Sequence, residues 1–198
     1  MPGEARSLIG AYAVRVLDDA EFQPLFREYR PKVFDGTFVY DPFDAMSAEE
    51  KESGARLRAR LAGRFRLNLG VYQGDELVGW TFGVQESPSH DTYYMVNTGV
   101  LPAHQGKGIY TALLQVVLEA VRTQGFQVVH SRHAATNARV LVPKLKAGFV
   151  VTGMELSDVF GTLVHLSYFF NPIRRKVLDV RAGQSHPDSD VRRVLPYQ

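Results

Sequence analysis

Ile109, Ala112, Leu113, Val116, Val117, Ala120 and Val121 recur at steps of three and four residues. That spacing places them on one face of an amphipathic helix, and Gly125 ends it. Upstream the pattern changes to β-rich runs. Phe65 to Tyr72 and Glu76 to Gln85 form a hairpin joined at Gln73-Gly74-Asp75, and Thr92 to Val100 is a further strand. Ser87-Pro88-Ser89 breaks the chain between them. Ile9 to Leu17 reads as a first strand. Asp18 or Asp19 then caps a helix with Phe22, Leu25, Phe26, Tyr29 and Val33 on one side. Pro24 is tolerable only near the start of that helix. Residues 35–46, with Gly36, Pro42 and several aromatics, read as loop. Ser47 with Glu50 makes a capping box for a charged helix running to about Leu61. Downstream, Phe126 to His130 is a short strand. Thr136 or Asn137 opens a helix that ends at Gly148, and Pro143 should loosen or kink it. Phe149 to Val159 and Thr162 to Phe169 close the pattern as a hairpin around Phe160-Gly161.

The predicted order is β, α, α, three strands, α, β, α, β, β. It implies an α/β fold of the α+β type: a mixed, mostly antiparallel sheet of about seven strands flanked by about four helices. The step from 92 to 130 is its one parallel crossover. Residues 1–170 are expected to form one domain. Residues 171–198 read as a polar extension, either flexible or an arm to a second subunit. A homodimer is expected on the strength of that extension and of Leu166, Tyr168 and Phe170 in a late strand.

Composition narrows the field. The 198 residues are 45% hydrophobic and include no cysteine, which removes disulfides, thiolate metal sites and cysteine nucleophiles. A net charge of +2 is too small to argue for nucleic acid, and the Arg56–Arg66 and Arg174–Lys176 clusters read as solvated surface. No signal-peptide pattern and no run near the roughly 20 apolar residues of a bilayer span is present. The expectation is a cytoplasmic protein without a membrane or nucleic-acid partner.

Chemistry concentrates between Val100 and Leu114, where a strand meets the amphipathic helix through Gln105-Gly106-Lys107-Gly108. A helix N-terminus reached through glycines offers free N–H groups and the positive dipole end to an anion, most naturally a phosphate. A P-loop does not fit, because the first glycine and the Ser/Thr after lysine are missing. Nor does the dinucleotide fingerprint fit, since its third glycine is replaced by Thr111 and a hairpin and two helices precede the loop.

The pattern instead resembles that of the GNAT superfamily of acyl-coenzyme A-dependent N-acyltransferases, whose loop reads Q/R-x-x-G-x-G/A. Gln105 and Gly108 match, while Tyr110 stands where a small residue is usual. Val100 and Pro102 precede the loop, the long helix follows it, and Asn137 precedes Gly148-Phe149 at the family's spacing. The likeness covers roughly residues 8–170. It implies acetyl-CoA or another acyl-CoA as co-substrate, with no metal, and a small-molecule or protein amine as acceptor. Backbone amides of Gln105, Gly106, Lys107, Gly108, Ile109 and Tyr110, aided by the Lys107 side chain, would cradle the pyrophosphate. Thr98, Gly99 and Val100 would pair with the pantetheine arm and Asn137 would bond it from the other side. Gly99 would mark a bulge that splays the strand.

For acyl transfer, a base is sought first at Glu86, with Asp91, Glu155 and Asp158 as alternatives. The position that holds an acidic tyrosine in many family members, seven residues after the asparagine, is Lys144. It is either a proton donor with a burial-lowered pKa or an exposed helix lysine. Of Tyr93 and Tyr94, one faces the core and the other a helix or the cleft. His130 and His133 lack a third nearby ligand and are not read as a metal site. The predicted activity is direct acyl transfer to an amine entering between the first two helices and the closing hairpin. The aromatic loop around Phe34, Phe38, Tyr40 and Phe43 would wall an apolar pocket or pack under the second helix. The alternative is a coenzyme-binding sensor of the same fold that has lost catalysis, suggested by Lys144 and Tyr110.

Overall fold

The computed structural model describes residues 4–34, 42–60, 63–86 and 91–195. Strand order in its single eight-stranded sheet is β1-β2-β3-β4-β5-β6-β8-β7. The first predicted strand is in fact a hairpin, β1 (Arg6–Ile9) and β2 (Tyr12–Leu17), turning at Gly10 with φ +52°. That raises the strand count from the expected seven to eight. A positive φ is cheap only without a Cβ, so a single glycine splits the run. β3 (Arg66–Gln73) and β4 (Glu76–Gln85) are interior strands. Both are almost continuously buried, as strands covered on two faces must be. β5 (Thr92–Val100) follows, then β6 (Val128–Ala134), β7 (Val150–Ser157) and β8 (Gly161–Phe169).

Helix α1 (Asp19–Val33) starts at a capping box, with Asp18 accepting from the Glu21 N–H and Glu21 accepting from the Asp18 N–H. Its Phe22 packs with Leu17 and Trp80 on one face of the sheet. The turn α2 (Pro42–Ala45) leads to α3 (Ala48–Arg60), where the Ser47–Glu50 box forms as the sequence predicts. On the other sheet face lies α4 (Ile109–Thr123), with Ile109, Leu113, Leu114, Val117, Leu118 and Val121 buried against Val71, Val78, Tyr93, Met95 and Val129. Helix α5 (Ala138–Lys146) accommodates Pro143 as a single helical segment. Parts of the 35–46 loop, including Phe38 and Tyr40, lie outside the described residues, as do the Phe43 side chain, Leu61 and Ser87-Pro88-Ser89.

The region past residue 170 carries helices α6 (Pro172–Arg181) and α7 (Ser189–Val194), so it is folded where a polar extension was read. Asn171 caps α6 and Asp188 caps α7. Lys176 bridges Asp188 and Asp190, Val191 is buried, and Arg174 ties α6 to Asp91. Leu166, Tyr168 and Phe170, on which a dimer was expected, pack into the chain's own core.

Two irregularities shape the centre. β5 pairs with β6 in parallel, but only from Thr92–Tyr94 to Val128–His130. Beyond that point β6 continues along β8 while β5 diverges, leaving one edge of β5 without a strand among the described residues. The bulge that bends β5 is at Val96, the residue skipped between Phe82↔Asn97 and Gly83↔Met95, and not at Gly99. Gly99 has a different role: a Cβ there would stand 2.4 Å from the Trp80 ring, so the glycine makes room for the indole. Trp80 Nε1 donates to Asn97 Oδ1 at 2.8 Å, which fixes the ring beside the bulge.

Candidate active site

A cavity of about 740 Å³ opens along the free edge of β5 and ends at the N-terminus of α4. Gly108 precedes α4 at φ +78° and has no side chain to cap it, so the first-turn N–H groups of Ile109, Tyr110 and Thr111 meet no capping side chain. Gly106 has φ +76° and open space where a Cβ would be. An uncapped helix start behind two left-handed glycines is a fitting cradle for a pyrophosphate. Gln105 holds the loop in place. Its Nε2 donates to the Val100 carbonyl at 3.0 Å and its Oε1 accepts from Arg139 at 3.2 Å, which joins β5, loop and α5. Arg139 carries no signal in the sequence alone.

Of the residues expected at a coenzyme, Thr98, Gly99, Val100, Gln105, Gly106, Gly108, Ile109, Tyr110 and Asn137 line this one cavity. Lys107 is exposed and does not line it. Asn137 occupies the N-cap position of α5, yet its side chain makes no capping hydrogen bond. Helix capping therefore does not account for it, and the carboxamide is left for the cavity.

A second cavity, of about 660 Å³, adjoins the first and is bounded by Tyr94, Asn97, Arg132, His133, Glu155 and Phe160 among others. Val33, Phe34, Thr98, Tyr110, Asn137 and Val140 belong to both. Tyr94 faces it while Tyr93 is buried in the core, as alternation along a strand requires. Within it Arg132 donates to the Tyr94 hydroxyl at 3.1 Å and to Glu155 at 3.0 Å, and His165 shares the Glu155 carboxylate at 2.8 Å. Hydrogen bonds from Arg132 and His165 hold the Glu155 carboxyl below the usual range. Glu155 is thus an anchored anion and a weak base.

Glu86 lies elsewhere. Its carboxylate meets His130 Nδ1 at 3.3 Å beside the paired end of β5 and β6, and it lines neither cavity. Burial lowers the His130 imidazole, with Glu86 pulling the other way. Asp91 is taken up by Arg174.

Lys144 is not the exposed helix lysine that composition favours. It is 1% exposed, and burial brings its ammonium down to about 7. It is not among the residues that line either cavity. Its Nζ donates to Ser131 Oγ at 2.7 Å, sits 3.4 Å from Met95 Sδ and lies 4.6 Å from the centre of the Phe149 ring. Ser131 Oγ in turn lies 3.1 Å from His133 Nε2, and His133 does face the second cavity. Burial first, and then the Lys144 charge, push the His133 imidazole down to about 3, so it is neutral at ordinary pH. Ser131 was invisible to sequence reasoning because it acts only as a bridge between two elements.

The sequence model of the acetyltransferase (GNAT) family matches residues 22–141. No curated protein matches the chain. Among solved structures the chain is similar to the Escherichia coli ribosomal-protein-S18-alanine N-acetyltransferase, with TM-score 0.60 and 15% identity over 81% of this chain and 94% of that one. It is similar to Salmonella typhimurium yncA, solved with its cofactor acetyl-CoA, with TM-score 0.59 and 21% identity over 82% and 95% of the two chains. It also resembles the Vibrio fischeri ribosomal-protein-S5-alanine acetyltransferase, with TM-score 0.62 and 10% identity over 84% and 97%. At these identities the structural likenesses speak for the fold.

Proposed function

The chain belongs to the GNAT acetyltransferase family, and on that premise we propose that the first cavity takes acetyl-CoA and the second an amine acceptor, small-molecule or protein-borne. Acetyl-CoA, when bound, supplies an activated acyl group. The residues of the chain position it. The uncapped N–H groups at the start of α4 receive the pyrophosphate, and a helix start of this kind contributes about 0.3–2 kcal/mol to anion binding. The free edge of β5 from Met95 to Val100 offers backbone groups to the pantetheine arm, much as a neighbouring strand would. Asn137 bonds that arm from the α5 side. The Arg132–Glu155–His165 group and Tyr94 orient the acceptor, and the neutral His133 meets it as a hydrogen-bonding group.

The observation that carries this reading is the shared wall. Two cavities, one ending at a phosphate cradle and one lined by polar side chains, meet where β5 parts from β6. Calorimetry with acetyl-CoA tests the first cavity; binding that weakens in Asn137→Ala supports the assignment, and no heat at millimolar ligand refutes it. A screen of amines read by free-thiol release tests the second. Turnover that falls in Glu155→Gln and Arg132→Ala, with acetyl-CoA binding intact, places the acceptor there. Turnover that those changes leave untouched removes it.

A further inference from the structure

The described sheet ends in two edge strands, β1 and β7. An edge strand offers a row of unpaired N–H and C=O groups, and folds guard it with short length, charge, proline or a bulge. β1 is guarded, with four residues that open on Arg6. β7 is not. Its eight residues, Val150 to Ser157, include no lysine, arginine or proline. Their one charge, Glu155, lines the second cavity and is held there by Arg132 and His165. The β7 bulge falls at Thr152, near the start, where the hydroxyl meets Ser167 Oγ on β8 at 2.9 Å. From Gly153 to Ser157 the strand follows β8 residue for residue and leaves a regular outer edge. Val151, Met154 and Leu156 share one face of that edge, because their partners on β8 are Leu166, Val164 and Thr162, each two apart. Leu156 is 86% exposed, Met154 is 69% exposed, and Val151 is exposed as well. A lone apolar side chain on a surface is ordinary. Three on one face of an unguarded edge strand mark an interface.

The two ends of β7 carry opposite charge. Lys146 closes α5 four residues before Val150, Asp158 directly follows Ser157, and both are exposed. An inverted copy of the strand sets the Lys146 end against the Asp158 end at both ends of the pair. A parallel copy sets like against like. The occupant that this charge pattern complements is a second copy of the chain, related by a two-fold axis, and antiparallel pairing is what such an axis produces. We propose that the chain forms a homodimer in which β7 pairs antiparallel with β7 of a second copy. Two eight-stranded sheets then join into one, and Val151, Met154 and Leu156 are covered. The partner strand lies about 4.8 Å away, so the strand that carries Glu155 becomes an interior one. This contact replaces Leu166, Tyr168 and Phe170 as the basis of a dimer, since those side chains belong to the core. Pairing at β7 is independent of what either cavity binds.

Sedimentation velocity of the full chain tests this, at concentrations from about 1 to 100 μM, which span micromolar dissociation constants. The wild type should sediment at twice the mass of one chain. Leu156→Lys should sediment as a single chain with unchanged circular dichroism, because the side chain it replaces lies outside the core. Lys146→Glu and Asp158→Lys should each weaken the dimer by on the order of tenfold, since each turns two attractive surface pairs into repulsive ones. The double exchange Lys146→Glu/Asp158→Lys should restore it. A wild type that stays monomeric to the top of the range overturns the proposal and leaves the β7 edge to an extended peptide. A dimer that Leu156→Lys leaves intact overturns it by placing the interface elsewhere. Single reversals without effect, or a loss that the double exchange does not repair, overturn the antiparallel pairing of β7 with itself.

Discussion

Replacing Lys144 by Met should stabilise the protein, most strongly at neutral and acid pH. The side chain is 1% exposed among Met95, Ser131 and Phe149, and burial moves its ammonium from 10.5 to about 7. In the unfolded chain it returns to its ordinary value. Between pH 7 and 10.5 the unfolded chain therefore holds more protons than the folded one, and stability rises as pH rises through that window. Below about pH 7 both states hold the proton and the burden of the buried charge is complete. One pKa unit corresponds to about 1.36 kcal/mol, so the whole window is worth on the order of 5 kcal/mol as a ceiling. Met is unbranched like Lys, one atom shorter and uncharged, and Ser131 keeps His133 as a partner. The assay is urea unfolding from pH 6 to 10, followed by the fluorescence of Trp80, the only tryptophan. Urea, being uncharged, adds no ionic screening. Wild type should gain stability across the range while Lys144→Met stays level, so that the gap between them closes with rising pH. Parallel curves for the two proteins would refute a buried, burial-shifted ammonium.

Other changes test other joints of the argument. Asn137→Ala should weaken acetyl-CoA binding while changing stability by less than the roughly 1 kcal/mol typical of a lost N-cap, because the side chain does not cap α5; a stability loss of cap size with unaltered binding would reverse its role. Gly99→Ala puts a methyl 2.4 Å from the Trp80 ring and should cost at least about 1–3 kcal/mol with a shifted tryptophan emission; an unchanged spectrum and midpoint would contradict the packing. Asn97→Ala removes the acceptor of the Trp80 Nε1–H and should cost about 1–3 kcal/mol for the orphaned donor, measured by the same unfolding curves.

Short-range information was legible in the chain, and the reason is local physics. The α4 face, the Asp18 and Ser47 caps and the Gly125 stop each depend on residues within a few positions of one another. The glycine loop before α4 belongs to this class, since a strand end, two glycines and a helix start are contiguous. Its left-handed turns follow from backbone geometry that glycines such as Gly106 and Gly108 adopt without strain. The family likeness extended that reading to Asn137 and to the order of elements. Where prediction missed locally, as at Gly10, a single glycine turned one strand into two.

What only the tertiary structure decided involves partners distant in sequence. Gly99 reads as a bulge until the Trp80 ring, nineteen positions away, is seen to occupy the space of its missing side chain, and the bulge itself falls at Val96 through the register with β4. Glu86 stands at a strand end in the sequence, and the fold alone sets its carboxylate 3.3 Å from His130 Nδ1, forty-four positions away. Lys144 reads as surface by residue type, yet β5 and β6 close over it and burial brings it near neutrality. Tyr110 marks a departure from a motif in one dimension; in three the residue belongs to the wall shared by two cavities, with its hydroxyl buried. Burial and electrostatic environment are properties of the packed neighbourhood, and no window along the chain contains them.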